Sequence, residues 1–245
     1  MKKVTTLLAL CLTLGVSSAF AQAGLNLYWD GCSDGGTSAK TFACDVNTGA
    51  AFSLYASVVL PAPMIQFLGT TAIVDVNVDD VTLPAWWQAR PGDCRQNSVA
   101  VSFDPNAFVT NCVDIWNGAV PLSVLDLQPT AMGVHGANWL RINAGAVVPS
   151  GQEYDIPADG TELVVCKVTV NRAKTTGTGA CAGCATAACI VLNECKLQTP
   201  AGAHDQTVTQ EGTSRWVTWN GTPVGCPGTT PAVNRTWGAV KSLYR

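Results

Sequence analysis

The 245-residue chain carries 14 basic and 17 acidic side chains, and charged residues make up only 13% of it. Soluble domains usually contain about twice that fraction, so the small-residue, Thr- and Val-rich composition favours short strands and turns over Lys- and Glu-rich helices. The acidic balance argues against a nucleic-acid-binding surface, which needs clustered Lys and Arg.

The first 21 residues have the pattern of a secretory signal peptide. Lys2 and Lys3 precede an apolar run over 4–16 that is too short to span a bilayer, and 19–21 form an A-x-A cleavage signal. We expect cleavage after Ala21, with a second A-x-A signal at 21–23. The mature chain, 12 basic against 17 acidic side chains or −5, is then secreted to the periplasm, the cell surface or the medium. The sequence predicts no transmembrane segment in it.

Short apolar segments that alternate with period two recur along the chain. They lie at 25–29, 52–60, 71–79, 98–103, 138–144, 162–170, 189–197 and 215–219. Gly, Pro, Asn and Asp turns separate them, which predicts an all-β chain folded as an antiparallel β-sandwich with long disulfide-linked loops. We expect one domain over 22–233 and a short tail over 234–245, with helix confined to 121–127 and the tail.

Ten cysteines remain after Cys11 is removed, and an even number in an oxidising compartment predicts disulfides. They are Cys32, Cys44, Cys94, Cys112, Cys166, Cys181, Cys184, Cys189, Cys195 and Cys226. A zinc site is not expected, because the only histidines, His135 and His204, lie away from the cysteine pairs. No metal and no cofactor is predicted.

The cysteine pairing follows from two considerations. Cys166 and Cys195 each lie on the apolar face of a strand, so pairing 162–170 with 189–197 as a hairpin predicts a Cys166–Cys195 bond. Proximity in the chain predicts Cys32–Cys44 and Cys94–Cys112. Two bonds remain among Cys181, Cys184, Cys189 and Cys226, and the sequence does not order them.

The CxxC at 181–184 has a redox and a structural interpretation. Thioredoxin-like chemistry requires this motif at a helix N-terminus that follows a strand. Here the motif follows "TTGTG" and precedes a strand. We therefore predict that it cross-links the tip of a long hairpin, with one bond reaching Cys226.

Tryptophans supply the candidate ligand-binding residues. Indole faces stack on sugar rings, and adjacent or odd-spaced residues of an extended segment point to opposite faces, so one of each pair would be exposed. On this argument Trp86 or Trp87, together with Trp216 or Trp219, forms a candidate carbohydrate platform. Most of the eight tryptophans are nevertheless expected in the core.

No catalytic constellation is evident. The chain has neither G-x-S-x-G nor H-E-x-x-H, and His204 beside Asp205 has no evident nucleophile. Glu153, Glu162, Glu194 and Glu211 are the candidates for a glycosidase pair. The acidic side chains of 75–80 are expected on the solvent face of a strand rather than around calcium. We predict that the protein is not an enzyme.

Two segments resemble cohesin modules and related carbohydrate-binding jelly rolls. They are "VSFDPNAF" (101–108) and "DGTELVVCKVTV" (159–170), and the valine-alternating strand 71–79 precedes both. The resemblance spans 71–197 and implies a jelly-roll-like, adhesive, non-enzymatic sandwich. No residue matches a dockerin-binding surface.

A second resemblance is to a group of uncharacterised secreted bacterial proteins. It rests on "LPAWWQ", "CAGCATAACIVLN" and "NRTWGAVKSLYR" and implies secretion and a shared fold. The sequence as a whole predicts a secreted or cell-surface binding or structural protein. The alternatives are a carbohydrate-binding module, a secreted hydrolase and a subunit of an extracellular filament. Expected partners are a polysaccharide, another surface protein or further copies of the chain.

Overall fold

The computed structural model describes residues 22–109, 111–129, 136–221 and 226. The expectations for a signal peptide over 1–21, for His135 and for the tail over 234–245 lie outside these residues. The strands in chain order are β1 Gly24–Trp29, β2 Ala39–Lys40, β3 Phe52–Val59, β4 Met64–Phe67, β5 Gly69–Val78, β6 Val99–Ser102, β7 Val113–Asp114, β8 Leu122–Pro129, β9 Trp139–Val147, β10 Tyr154–Ile156, β11 Glu162–Val170, β12 Ala188–Gln198, β13 Gln206–Val208 and β14 Trp216–Trp219. Short 3-10 turns cover Ala85–Trp87, Pro105–Ala107 and Pro200–Gly202.

These strands form an all-β sandwich, as the alternating pattern predicts. One sheet has the order β1-β3-β11-β6, with β7 beside β11, and the other has the order β2-β14-β12-β5-β9-β8, with β13 beside β12. A small β10-β4 pair completes the architecture. Most pairings are antiparallel, and the inward faces of both large sheets contribute to one apolar core.

Strand β5 shows how the alternation builds this core. Ala72, Val74, Val76 and Val78 are all buried between the sheets, because successive side chains of a strand point to opposite faces.

The part of the chain that the structure describes contains no helix with the length and apolar character needed to span a membrane.

The helix predicted over 121–127 is wrong, because this segment is strand β8. Leu125 and Leu127 pack on the core while Leu122 and Val124 point outward. Over so few residues, the spacing of its leucines and valine fits both the helical period of about 3.6 residues and the strand period of two. The segment is a strand because it pairs along β9.

The predicted hairpin of 162–170 with 189–197 is also wrong. Strand β11 pairs with β3 and β6, whereas β12 pairs with β5 and β14 in the facing sheet. Cys166 and Cys195 are therefore free thiols, both buried in the core between the sheets. Burial raises the pKa of both thiols, that of Cys195 to about 12.

Four disulfides join the other eight cysteines of the described residues: Cys32–Cys112, Cys44–Cys184, Cys94–Cys181 and Cys189–Cys226. The expected Cys32–Cys44 and Cys94–Cys112 bonds are thus wrong, because the loops that carry these residues meet loops from distant parts of the chain. The expectation that one loop cysteine reaches Cys226 is met by Cys189.

Candidate functional site

The two cysteines of the CxxC connect three loops at one end of the sandwich. Cys181 bonds to Cys94 and Cys184 bonds to Cys44. Between them, the Ala182 carbonyl accepts a hydrogen bond from the Trp86 amide at 2.9 Å. Gly183 has φ +101°, and a Cβ there would overlap the Cβ of Pro84. Every position of the motif is therefore used structurally, as a junction.

A buried guanidinium organises the same loops. Arg95 is 1% exposed and donates to the carbonyls of Ala173 (3.0 Å), Trp86 (3.2 Å) and Asn171. Its Cζ lies 3.7 Å from the centroid of the Trp86 ring. Burial lowers the pKa of Arg95 to about 10. Because its hydrogen bonds go to backbone carbonyls of two loops, Arg95 holds those loops at a fixed separation.

The carbohydrate platform predicted from tryptophans is not formed. Trp86, Trp87 and Trp219 are at most 2% exposed and pack against one another at ring-centroid distances of 4.8–5.2 Å. The parity argument fails at 86–87 because this segment is a 3-10 turn rather than a strand. Trp216 is half-buried and packs on Cys189, Val191 and Cys226.

The acidic side chain of Asp75 is buried rather than solvated. It is fully buried on the outer face of β5, where Arg141 Nε and Nη2 donate to its two oxygens at 2.8 Å each. Asn193 Nδ2 donates to the same carboxylate at 2.7 Å. This group of Asp75, Arg141 and Asn193 joins β5, β9 and β12. Asp75 and Arg141 lie directly opposite each other across β5 and β9, so the ion pair is predictable only once the pairing of these two strands is known.

Two of the acidic residues considered for catalysis, Asp205 and Glu162, are engaged in local structure. Asp205 accepts from the Thr199 amide at 2.9 Å and from Lys196 Nζ at 3.2 Å, and these contacts lower its pKa. Glu162 accepts from Ser33 and Ser57. Among the described residues, no group of three or more His, Cys, Asp or Glu side chains is placed to hold a metal ion.

An apolar surface lies on the outward side of the seven-stranded sheet that contains β5, β8 and β9. It is at the end of that sheet opposite to the CxxC loops. Leu122 and Val124 of β8 are 70% and 66% exposed, and Val147 of β9 is 39% exposed. Their register, Leu122↔Val147 and Val124↔Gly145, places them side by side. We call Leu122, Val124, Gly145 and Val147, with Thr71 of β5, the apolar face.

The apolar face contains a groove of about 340 Å³. Gly145 forms part of its floor, because it has no side chain where its neighbours do. A Cβ built on Gly145 would make only ordinary contacts, 3.5 Å to the Val124 Cγ1 and to the Thr70 carbonyl oxygen. The groove is therefore space that a side chain from this position, or from another segment, can fill.

Strand β8 is also the edge of the sheet. Within the part of the chain that the structure describes, β8 pairs with β9 alone. An eight-residue edge with outward apolar side chains and no Lys or central Pro is a template for pairing with another extended segment. Sequence reasoning missed this surface because the segment was expected to be helical.

No protein-family model and no curated protein matches this chain. Three solved structures show low-level similarity. A cohesin module from a family 33 glycoside hydrolase of Clostridium perfringens is 9% identical with a TM-score of 0.35, over 82% of this chain and 98% of that module. The second type II cohesin module of the cellulosomal adaptor ScaA scaffoldin of Acetivibrio cellulolyticus is 10% identical with a TM-score of 0.29, over 82% and 98%.

The third is AggA, the major subunit of aggregative adherence fimbriae type I of Escherichia coli. It is 15% identical with a TM-score of 0.24, over 80% of this chain and 92% of AggA. Similarities of this size carry no argument about function. The fold class rests on the strand pairing, and the candidate site rests on the apolar face.

Proposed function

We propose that this chain is an extracellular structural or binding protein that associates with other copies of itself through the apolar face. The observation that carries the proposal is the exposure of Leu122 and Val124 on an edge strand. Contiguous outward apolar side chains on a soluble sandwich mark an interaction site. Beside them, the outer edge of β8, which pairs with β9 alone within the described residues, offers backbone hydrogen bonds to a partner.

The extracellular assignment is supported by the disulfides and by the signal-peptide pattern. Disulfides persist in oxidising compartments and are rare in the cytosol, and this sandwich has four among its described cysteines. Cross-linked loops also keep a surface protein folded outside the cell, because each bond restricts the unfolded chain.

The test is sedimentation velocity on the full chain, produced with its disulfides formed, over a wide range of protein concentration. Wild-type protein should show concentration-dependent association. Val124→Glu should weaken that association by about tenfold or more, since a carboxylate would be buried against apolar side chains.

The matched control is Val81→Glu. Val81 is 91% exposed but lies in the loop after β5, at the other end of the sheet. The Val81→Glu variant adds the same charge away from the apolar face, so this variant should associate like the wild type. A wild type that stays monomeric at every concentration, or equal weakening by both substitutions, would reject the proposed function.

A further inference from the structure

We propose that the segment seated on the apolar face is the C-terminal segment 227–245 of this chain, from the same molecule in the monomer and exchanged between copies on association. The inference rests on the proposed function and names what occupies its site. It follows from where the segment is attached, how far it reaches, its apolar residues and its charge.

The attachment point lies on the correct side of the sheet. Cys226 is bonded to Cys189 of β12, and the two are buried in a small cluster with Val191 on the outward face of the seven-stranded sheet. The apolar face is on the same side, because Val191 and Thr71 both point away from the core. The segment therefore needs no passage around the sandwich.

The reach is sufficient. Cys189 is level with Trp139 across β5, six residues along β9 from Gly145. At about 3.3 Å per residue and about 4.8 Å per strand, a position beside β8 at Val124 is about 28 Å from Cys189. The ten residues 227–236 extend to at most about 33 Å. If these ten residues extend from Cys226 toward β8, the apolar part of the segment, which begins at Trp237, would reach the apolar face.

The direction also fits. Strand β8 runs from Leu122, level with Val147, to Pro129, level with Leu140. A segment that starts near Cys189 and extends toward Leu122 therefore runs opposite to β8. Residues 227–236 are used in crossing the sheet, so only the residues from Trp237 onward would meet β8, and they would meet it antiparallel.

The composition of the segment complements the surface. It carries Trp237, Val240, Leu243 and Tyr244, which supply apolar area for the groove. It also carries three basic and no acidic side chains, whereas residues 22–226 carry 9 basic and 17 acidic side chains, or −8. Two acidic residues, Asp126 and Glu194, lie on the outward face next to the apolar face. They belong to one cross-strand row, Asp126–Asn143–Ile73–Glu194, which neighbours the row that contains Val124 and Gly145.

The experiment is amine cross-linking of the full chain with mass-spectrometric mapping, using a mixture of isotopically heavy and light protein. Lys241 is the reporter in the segment. Lys196 of β12 pairs with Thr71, so it lies beside the apolar face, whereas Lys40 of β2 lies on the far edge of the same sheet.

At low protein concentration we expect Lys241–Lys196 cross-links within one molecule, at least several-fold more abundant than Lys241–Lys40. At high concentration heavy–light Lys241–Lys196 pairs should appear. Val124→Glu and Trp237→Ser should each remove the preference for Lys196, and Val81→Glu should retain it.

Equal cross-linking to Lys196 and Lys40 would overturn the assignment of the segment, and heavy–light pairs that never appear would overturn the exchange. The proposed function fails separately, because it is read from sedimentation. If Val124→Glu abolishes association while Lys241 shows no preference, the apolar face binds something other than this segment.

Discussion

Arg141 binds the fully buried carboxylate of Asp75 through two parallel hydrogen bonds of 2.8 Å, across the β5–β9 register. The arginine side chain is 26% exposed, whereas the carboxylate has no exposed surface. The hydrogen bond from Arg141 to Asp75 also raises the pKa of the arginine. The pair is therefore asymmetric: one partner reaches water and the other does not.

This asymmetry predicts unequal costs for the two single substitutions. Arg141→Met leaves an uncompensated buried carboxylate, so we expect a loss of about 3 kcal/mol in the free energy of unfolding. Asp75→Asn keeps an acceptor, and the remaining guanidinium can be hydrated, so its loss should be smaller. Urea unfolding of the two variants measures the difference, and a larger loss for Asp75→Asn would contradict this account.

The glycine of the CxxC gives a second prediction. Gly183 and Gly177 both have positive φ, +101° and +80°, but only Gly183 lies against another element, at Pro84. Gly177→Ala should cost about 1 kcal/mol of folding free energy, the strain of the backbone alone. Gly183→Ala should cost clearly more, because Pro84 must move. Thermal unfolding of the two variants tests this, and equal melting temperatures would show that the junction tolerates a side chain.

The guanidinium of Arg95 holds together the two loops that carry Trp86 and Ala173, and this gives a third prediction. Arg95→Lys keeps a charge, but a single ammonium cannot reach the carbonyls of Ala173, Trp86 and Asn171 together. Since unsatisfied buried acceptors cost about 1–3 kcal/mol, we expect a loss of that size in the free energy of unfolding. Lys174→Ala, which removes an exposed contact to the Cys94 carbonyl, is the control and should cost less. An Arg95→Lys protein as stable as the wild type would remove Arg95 from this role.

The two free thiols give a prediction about labelling and pH. Alkylation with peptide mapping should find Cys166 and Cys195 unmodified in native protein and modified after denaturation. Recovery of a peptide with Cys166 bonded to Cys195 would contradict the structure.

The pH effect has a definite sign. Folding raises the pKa of both thiols above the ordinary value of 9.0, so the native state retains protons that the unfolded state releases. The contribution is fully present below pH 9 and is lost as the pH rises above it, at up to about 1.4 kcal/mol per pH unit for each thiol. First-scan melting temperatures should therefore fall more steeply above pH 9 in the wild type than in Cys166→Ala/Cys195→Ala. Parallel slopes would argue against this linkage.

The long strands and the core could be predicted from the sequence because they depend on local alternation. Residues 162–170 were predicted as a strand and form β11, and 71–79 lie almost entirely within β5. Sheet membership could not be predicted in the same way. Whether β11 and β12 are neighbours in one sheet or face each other across the core depends on how the linking loop 171–187 crosses between sheets, which alternation does not encode.

The predicted disulfide pairing and the predicted tryptophan platform are wrong for a related reason. Cys44 and Cys184 are 140 residues apart in sequence, and their loops meet only because the strands that precede them end at the same side of the sandwich. The parity argument for Trp86 and Trp87 assumes an extended segment, but the segment is a 3-10 turn in which both rings are buried. The apolar face was missed because 121–127 is short enough to fit a helical period.

The most direct test of the central claim fills the groove without adding charge. Gly145→Val places a side chain in the floor of the apolar face, where a Cβ meets only contacts of 3.5 Å or more. Valine suits a strand better than glycine, so the protein should remain folded even though segment 227–245 can no longer occupy the groove. If the apolar face mediates association, sedimentation velocity will show this stable variant as a monomer at concentrations where the wild type associates. A folded Gly145→Val protein that associates like the wild type would contradict the account.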